Sequence, residues 1–600
     1  MTVKYETERV KLERLVDAWF DTFKSALESS LTAEIEALLH PDCYWRDLLA
    51  YDWTLQTQHG HHSISSWLLN KFDPPSAKTF SRRGEVVRGA LGDIHPDSIA
   101  IFFDFETEVG RGDGVVRLVI DDLASGQAKA VTVLTSLREL HVAPEKIHAN
   151  RPRFDESKTV AARAADELPV LVLGAGQAGL MAAARLERMG IRTVVVDSME
   201  RVGDTWRGRY EWLNLHNTPP MNHFPYFPYP QSWPVYLSRD MVVDWLESYA
   251  QVMQLDIRTG TTVIDGSFDE EAETWTVRIQ DRHGTVSEIH PRHIVLAAGV
   301  VGRPSIPTIA GADGFRGTIL HSSQVSASLD MAGKNVVVVG AGTSAHDIAQ
   351  MAHQQGADVT LVQRSSITVV SLEPSASMSY SLFNRYDGEL PIDDVDLLSG
   401  SIPYGLVRRI QVGMSARMAE ADEPLLSKLR DVGFLLDNGE DDTGWFMKML
   451  RYHSGYYLNI GGADLIANKK VRLRSGVGVA ELKGSSVVLS DGSELDADIV
   501  VLGTGYLPIS DTIERLFGKD VGKRVGKVYG IGDDDEVSGM YRLTGQPHLF
   551  ITGGGFGSSR SYSRYIALLI ASDLTGIRQS SSTVLERLKD STGDGEGAKG

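Results

Sequence analysis

Cysteine is almost missing from this chain. Cys43 stands alone among 600 residues. One thiol cannot close an internal disulfide, and it excludes a C-x-x-C redox pair. Long apolar runs are missing too, so no segment suits a bilayer span. The first residues, Met-Thr-Val-Lys-Tyr-Glu-Thr-Glu-Arg, have no apolar leader core. A cytoplasmic location without a membrane partner is the expectation. Positive charge is scarce: the formal net charge is −19. That argues against a nucleic-acid or anionic-membrane partner, so anionic ligands must be held by helix ends and single arginines. Histidines and carboxylates at a convincing metal-ligand spacing are also missing, as is a nucleophile triad, and no metal site is assigned. The 42% apolar and 23% charged composition is ordinary for a globular protein. The length calls for three or four domains.

What is present is organised around Leu168 to Asp197. Val170 to Leu173 is a continuous apolar run, as for a parallel strand buried on both faces. Gly174, Gly176 and Gly179 follow at G-x-G-x-x-G spacing, with Gln177 and Ala178 between the last two. The first glycine permits a tight turn, the second lets backbone approach a pyrophosphate, and the third lets helix and strand pack closely. Val194 to Val196 reads as the next strand, and Asp197 ends it where a ribose hydroxyl needs an acceptor. Strand, glycine turn, helix and acid fall in the order of a dinucleotide site.

A second unit opens at Asn335 to Val339, with Gly340, Gly342 and Ala345 at the same spacing and Thr343 and Ser344 inside the turn. Its second strand, Asp358 to Val362, ends without an acid and continues to Arg364. An arginine there suits a 2′-phosphate, which points to NADPH. Between the units, Arg-Val-Gly-Asp-Thr-Trp206-Arg is followed by Leu215-His216-Asn217-Thr218-Pro219-Pro220 and then Phe224-Pro-Tyr-Phe-Pro228, whose prolines and aromatics read as irregular backbone. Such a rigid apolar loop suits a wall around a flat cofactor. Residues 371–460 read as an insertion that shapes substrate access. Asp496 to Tyr506 and Leu549 to Gly557 each read as a strand with a glycine turn, the second followed by a helix from Ile566 to Thr575.

Residues 1–145 read as a separate α+β domain. Helices are expected over Val10 to Leu27, Thr32 to Leu39 and Ser63 to Phe72. Strands are expected at Cys43 to Leu48, Thr79 to Val87, Ser98 to Val109, Gly114 to Ile120 and Ala128 to Val142. This order resembles the SnoaL-like cone, related to nuclear transport factors. Asp47, Trp53, His59, His61 and His62 could line a pocket there. A structural or dimerising role is the plainer reading, with the histidines in a solvated loop and the domain dispensable for flavin binding. Residues 146–167 read as a linker and 581–600 as a tail.

Taken together, residues 168–580 resemble class B flavin-dependent monooxygenases, which include flavin-containing, YUCCA-type and Baeyer–Villiger enzymes. Phe315, Gly317 and His321 match the family's F-x-G-x-x-x-H signature and Leu502 to Tyr506 its late glycine turn, while its G-G-x-W stands here as Gly203-Asp204-Thr205-Trp206, with aspartate for the second glycine. The signature's following aromatic is replaced by Val325, and the lysine after Asn217-Thr218 by proline. The resemblance implies an α/β protein with two Rossmann-type domains, in addition to the N-terminal cone. An FAD domain (168–332 and 466–580) is interrupted by an NADPH domain (333–465). It implies FAD held through Gly174, Gly176, Gln177, Ala178, Gly179, Asp197, Trp206 and His216. NADPH would be held through Gly340, Gly342, Thr343, Ser344 and Arg364. Gly505 would lie at the cofactors and Asn217 near the reacting flavin, with His321 structural or domain-coupling. The implied activity is transfer of one oxygen atom from O2, through a peroxyflavin, to a small organic substrate. N- or S-oxygenation and YUCCA-like oxidative decarboxylation head the readings. A Baeyer–Villiger reaction of a ketone, an uncoupled NADPH oxidase and a non-catalytic flavin-binding protein are the alternatives.

Overall fold

A computed structural model describes residues 2–70, 77–122, 127–153, 168–300, 302–326 and 328–578. Residues 154–167 of the expected linker and the whole expected tail lie outside the described residues.

The N-terminal region begins with α1 (Thr2–Glu28) and α2 (Thr32–Leu38), then β1 (Leu39–Leu48) and β2 (Leu55–His59). α3 (His61–Leu69) follows, then β3 (Lys78–Arg88), β4 (Ile99–Glu106), β5 (Gly110–Asp122) and β6 (Gln127–Leu140). Strand β2 was not anticipated. The six strands form one sheet in the order β2-β1-β6-β5-β4-β3. β3 to β6 form an antiparallel meander, and β1 closes onto β6 in parallel, with Trp45 opposite Val133 and Leu48 opposite Ser136.

Alternation along β1 explains why the centre of this sheet is buried on both faces. Cys43 and Trp45 join Trp19, Phe20 and Phe23 of α1 in one apolar cluster. Leu48 instead joins a second cluster with Phe102, Val115, Leu134 and Leu137. That second cluster is continuous with the core of the first dinucleotide unit, including Leu171, Leu180 and Ile566. The N-terminal region therefore shares a core with the rest of the chain instead of standing apart. The continuous apolar run Ile99–Phe103 is the sequence trace of this double burial.

The first nucleotide unit starts with β7 (Leu168–Leu173), α4 (Gln177–Arg188) and β8 (Thr193–Val196). Strands 291–296 and 549–551 flank β7 on one side, and β8 and 256–258 follow on the other, all parallel. The second unit repeats the plan with five parallel strands in the spatial order 318–321, 499–502, 335–339, 358–363, 472–475. Helix 343–354 follows its glycine turn. The segment after residue 371 is mostly helical, with Ile392–Gly400, Tyr404–Asp431 and Gly444–Tyr452 as its main helices. The last helix starts at Phe556, earlier than expected, and runs to Leu574.

Candidate active site

The two glycine turns show the geometry that a pyrophosphate cradle needs. Gly174 has φ +115°, and a Cβ there would stand 2.5 Å from the carbonyl oxygen of Ala297. Gly179 packs against the turn itself: its Cβ would fall 1.9 Å from the Gly174 carbonyl oxygen. Gly176, at the N-terminus of α4, has no heavy atom within 4 Å of its missing Cβ and no side-chain cap on the helix. Open space in front of free helix N–H groups is where a phosphate would sit. Gly340 repeats the strained turn, with φ +118° and a Cβ that would meet the Gly503 carbonyl oxygen at 2.4 Å. Gly342 repeats the open, uncapped helix start. Both turns thus fit a dinucleotide.

The residues after the second strands differ in charge. Asp197 accepts hydrogen bonds from the Ala175 amide at 2.6 Å and the Met199 amide at 2.8 Å. These two bonds hold its carboxylate at the turn while leaving lone pairs for a ribose hydroxyl. Arg364 is exposed at the rim and makes no ion pair with any described residue.

Both turns open into one cavity of about 1600 Å³. Of the residues expected at the cofactors, all but Gly179 line it: Gly174, Gly176, Gln177, Ala178, Asp197, Trp206, His216, Gly340, Gly342, Thr343, Ser344, Arg364 and Gly505, with Asn217 beside them. Gly179 acts through packing. Gln177 ties two walls together, its amide donating to the Gly554 carbonyl at 3.2 Å and accepting from Trp206 Nε1 at 3.4 Å. Burial pushes His216 down to about 4, so its imidazole is neutral near pH 7. The Asn217 carbonyl accepts from Asn222 Nδ2 at 3.0 Å.

The proline-rich loop was expected to be irregular throughout, yet Pro219–Asn222 forms one helical turn, with proline at its start where no N–H is needed. Arg560 holds this loop. It is buried, donates to the carbonyls of Pro220, Met221 and His223, and pairs with Asp396 at 2.6 Å. No motif in the sequence marked it. It lies in a serine-rich first half of the last helix, before the apolar run, where the sequence carries no distinctive signal.

His321 is buried and bridges two segments. Its Nδ1 accepts from the Ser323 amide at 3.1 Å, so Nε2 donates to the Gly505 carbonyl at 3.0 Å. It therefore fixes the late glycine turn, and both ring nitrogens are committed. Val325 lies in the core of the second unit with Met331 and Val336, away from the cavity.

The polar residues singled out in the N-terminal domain do not line this cavity. Asp47 is buried and accepts from Thr135 Oγ1 at 2.6 Å. Trp53 packs against the shared core. His59 and His62 are solvent-exposed as expected, but not in a loop: His59 ends β2 and stacks on Tyr44 at 4.1 Å, while His61 and His62 open α3. Regular structure forms there because Gly60 supplies a positive φ between strand and helix.

Comparisons with known proteins agree with this geometry. Residues 171–391 match a family model described as pyridine nucleotide-disulphide oxidoreductase. The lone cysteine is buried in β1, outside that match. Indole-3-pyruvate monooxygenase YUCCA1 of Oryza sativa subsp. japonica is 28% identical over 346 residues, 56% of this chain and 76% of the relative. Probable indole-3-pyruvate monooxygenase YUCCA10 of Arabidopsis thaliana is 25% identical over 347 residues, 57% of this chain and 82% of the relative. Among solved structures, OTEMO in complex with FAD and NADP aligns with a TM-score of 0.50 and 16% identity. It covers 69% of this chain and 86% of that one, which is a likeness of fold.

Proposed function

We propose that this chain, a class B flavin-dependent monooxygenase with sites for FAD and a nicotinamide dinucleotide, oxygenates a small organic substrate at the expense of NADPH. The balance is substrate, O2, NADPH and a proton in, and oxygenated product, NADP+ and water out. The observation that carries the reading is the pair of open glycine cradles facing one cavity, with a carboxylate at one and, at the other, an arginine that forms no ion pair among the described residues. Bound there, FAD supplies the oxygen chemistry and NADPH the hydride.

The chain's own residues bind, orient and exclude water. The N–H groups after Gly176 and Gly342 receive the two pyrophosphates. Asp197 receives a ribose hydroxyl, and Arg364 a 2′-phosphate. Gln177, Trp206 and the Gly554 carbonyl form one hydrogen-bonded frame at the flavin side. Asn217 presents its side chain to the same space from a loop locked by Arg560. Neutral His216 delivers no proton near pH 7. Tyr210 and Asp347 hydrogen-bond between the loop of one unit and the helix of the other, tying the two sites together. Among the readings of the oxygenated atom, N- or S-oxygenation and decarboxylation of an arylpyruvate come first, the latter supported by the plant relatives.

The test is product labelling. The FAD-loaded protein, given NADPH and 18O2 with amines, sulfides, arylpyruvates and ketones in turn, should place one 18O atom in a product. Hydrogen peroxide in one-to-one yield with NADPH for every compound would replace the proposal with an uncoupled oxidase.

A further inference from the structure

The cavity has a wall that neither dinucleotide requires. It comes from the N-terminal domain, which contributes Arg46 and Leu48 from β1 and Leu134 from β6. Arg46 is 3% exposed, and its partner Glu536 is 1% exposed. Nε and Nη2 of Arg46 donate to the two carboxylate oxygens at 2.7 and 2.6 Å. Nη2 also donates to the Tyr562 hydroxyl at 2.6 Å, and Nη1 to the Gly400 carbonyl at 2.8 Å. The guanidinium carbon lies 5.5 Å from the Tyr404 ring centre and 5.9 Å from that of Tyr562. Tyr562 stacks on Tyr541 at 4.5 Å, and the Tyr541 hydroxyl donates to the carbonyl of Gly553 in the glycine turn after strand 549–551. An unbroken chain of contacts thus joins β1 to the flavin end of the cavity.

Each nitrogen of Arg46 already has a partner, so it is not a free receptor for an anion. A buried ion pair is costly to desolvate and is a poor source of stability. Its planar, forked bonding instead sets geometry. We propose that the N-terminal domain is a specificity-determining wall of the substrate chamber. Leu48 and Leu134, both buried in the shared core, back this wall and limit how far it can yield, and Arg46 positions Tyr404 and Tyr562 against an apolar, ring-bearing substrate. Tyr380, Phe383 and Trp445 face the chamber from the insertion. This rests on the monooxygenase reading for the chemistry, while the wall itself is testable by binding alone.

Methyl phenyl sulfide and methyl 2-naphthyl sulfide carry the same sulfur on one ring or two. Each is titrated into the full-length, FAD-loaded protein, and binding is read from the flavin difference spectrum. Leu134→Phe should weaken the two-ring sulfide about tenfold or more and the one-ring sulfide about threefold at most, the scale of a filled hydrophobic pocket. Leu134→Ala should move the ratio the other way. Equal changes for both probes, or no response of the parent's flavin to either, overturn the proposal. Arg46→Lys keeps the charge and loses the fork. It should raise the KM for the two-ring sulfide about fivefold while kcat falls less than about twofold, a loss of ground-state binding. Flavin release from Arg46→Lys would make Arg46 a fold anchor and overturn its positioning role. If the sulfides bind and follow these shifts but no sulfoxide forms, the oxygenation reading fails and the wall stands. If sulfoxide forms at rates indifferent to all three variants, the wall fails and oxygenation stands.

Discussion

The two nucleotide units are close copies in backbone and opposites in detail. In one, the Gly174 amide donates to the Val196 carbonyl at 2.8 Å; in the other, Gly340 donates to Val362 at 2.9 Å. The neighbouring strand crosses each glycine turn, with Ala297 donating to Leu173 at 2.9 Å and Gly503 to Val339 at 2.8 Å. At that crossing the small side chains are exchanged. Gly179 on the helix faces Ala297 on the strand, whereas Ala345 on the helix faces Gly503. Each crossing has room for one methyl group. The alanine in the second fingerprint is therefore half of a pair, and its partner lies 158 positions along the chain, outside the motif.

Steric substitution at the crossing should have the largest effect. Gly179→Ala places a Cβ against both the Gly174 carbonyl and Ala297, and the variant should be recovered without flavin, as read from the flavin-to-protein absorbance ratio. Full flavin content would break the comparison. Gly503→Ala puts its Cβ 3.0 Å from that of Ala345. It should cost about 1–3 kcal/mol in denaturant unfolding, and Ala345→Gly should recover most of that loss.

Next comes charge. Arg364→Ala should raise the KM for NADPH about tenfold or more and that for NADH about twofold at most, because only the former loses a charge-assisted phosphate contact. Equal effects would remove the NADPH assignment. The open glycines sharpen the contrast further. Gly176→Ala and Gly342→Ala meet no atom within 4 Å, so thermal stability without ligands should stay within about 0.5 kcal/mol of the parent. Flavin affinity should fall for the first and NADP+ affinity for the second.

A separate, pH-dependent effect should come from Asp47, whose carboxyl burial pushes up to about 7. Its folded pKa is raised above the unfolded value, so its stability contribution is complete below about pH 4 and is lost as pH rises through 7. Asp47→Asn should flatten the fall in melting temperature between pH 5 and 8. An unchanged slope would assign that fall to other groups.

The site was legible where a turn needs glycine for local reasons. Gly174, Gly176, Gly340, Gly342, Asp197 and Arg364 all gather at one cavity, since a strand, a tight turn and a helix carry their own instructions over about thirty residues. His321 was legible only as part of a signature, and its bond to Gly505 needed the pairing of strands 318–321 and 499–502. Arg46, Arg560 and Leu134 carried no pattern. Each acts on residues hundreds of positions away, such as Glu536 for Arg46 and Asp396 for Arg560.

Sequence alone determined the two nucleotide turns, their order and the charge at each second strand, because strand period, glycine spacing and a terminal acid or arginine are short-range properties. Tertiary structure alone decided that the central strands of the N-terminal sheet are buried on both faces and that this sheet forms part of the cavity wall. It also decided which small residue stands at each crossing and which arginine locks the proline loop. Those outcomes depend on which distant surfaces meet, and long-range packing leaves only a faint mark on any single stretch of chain.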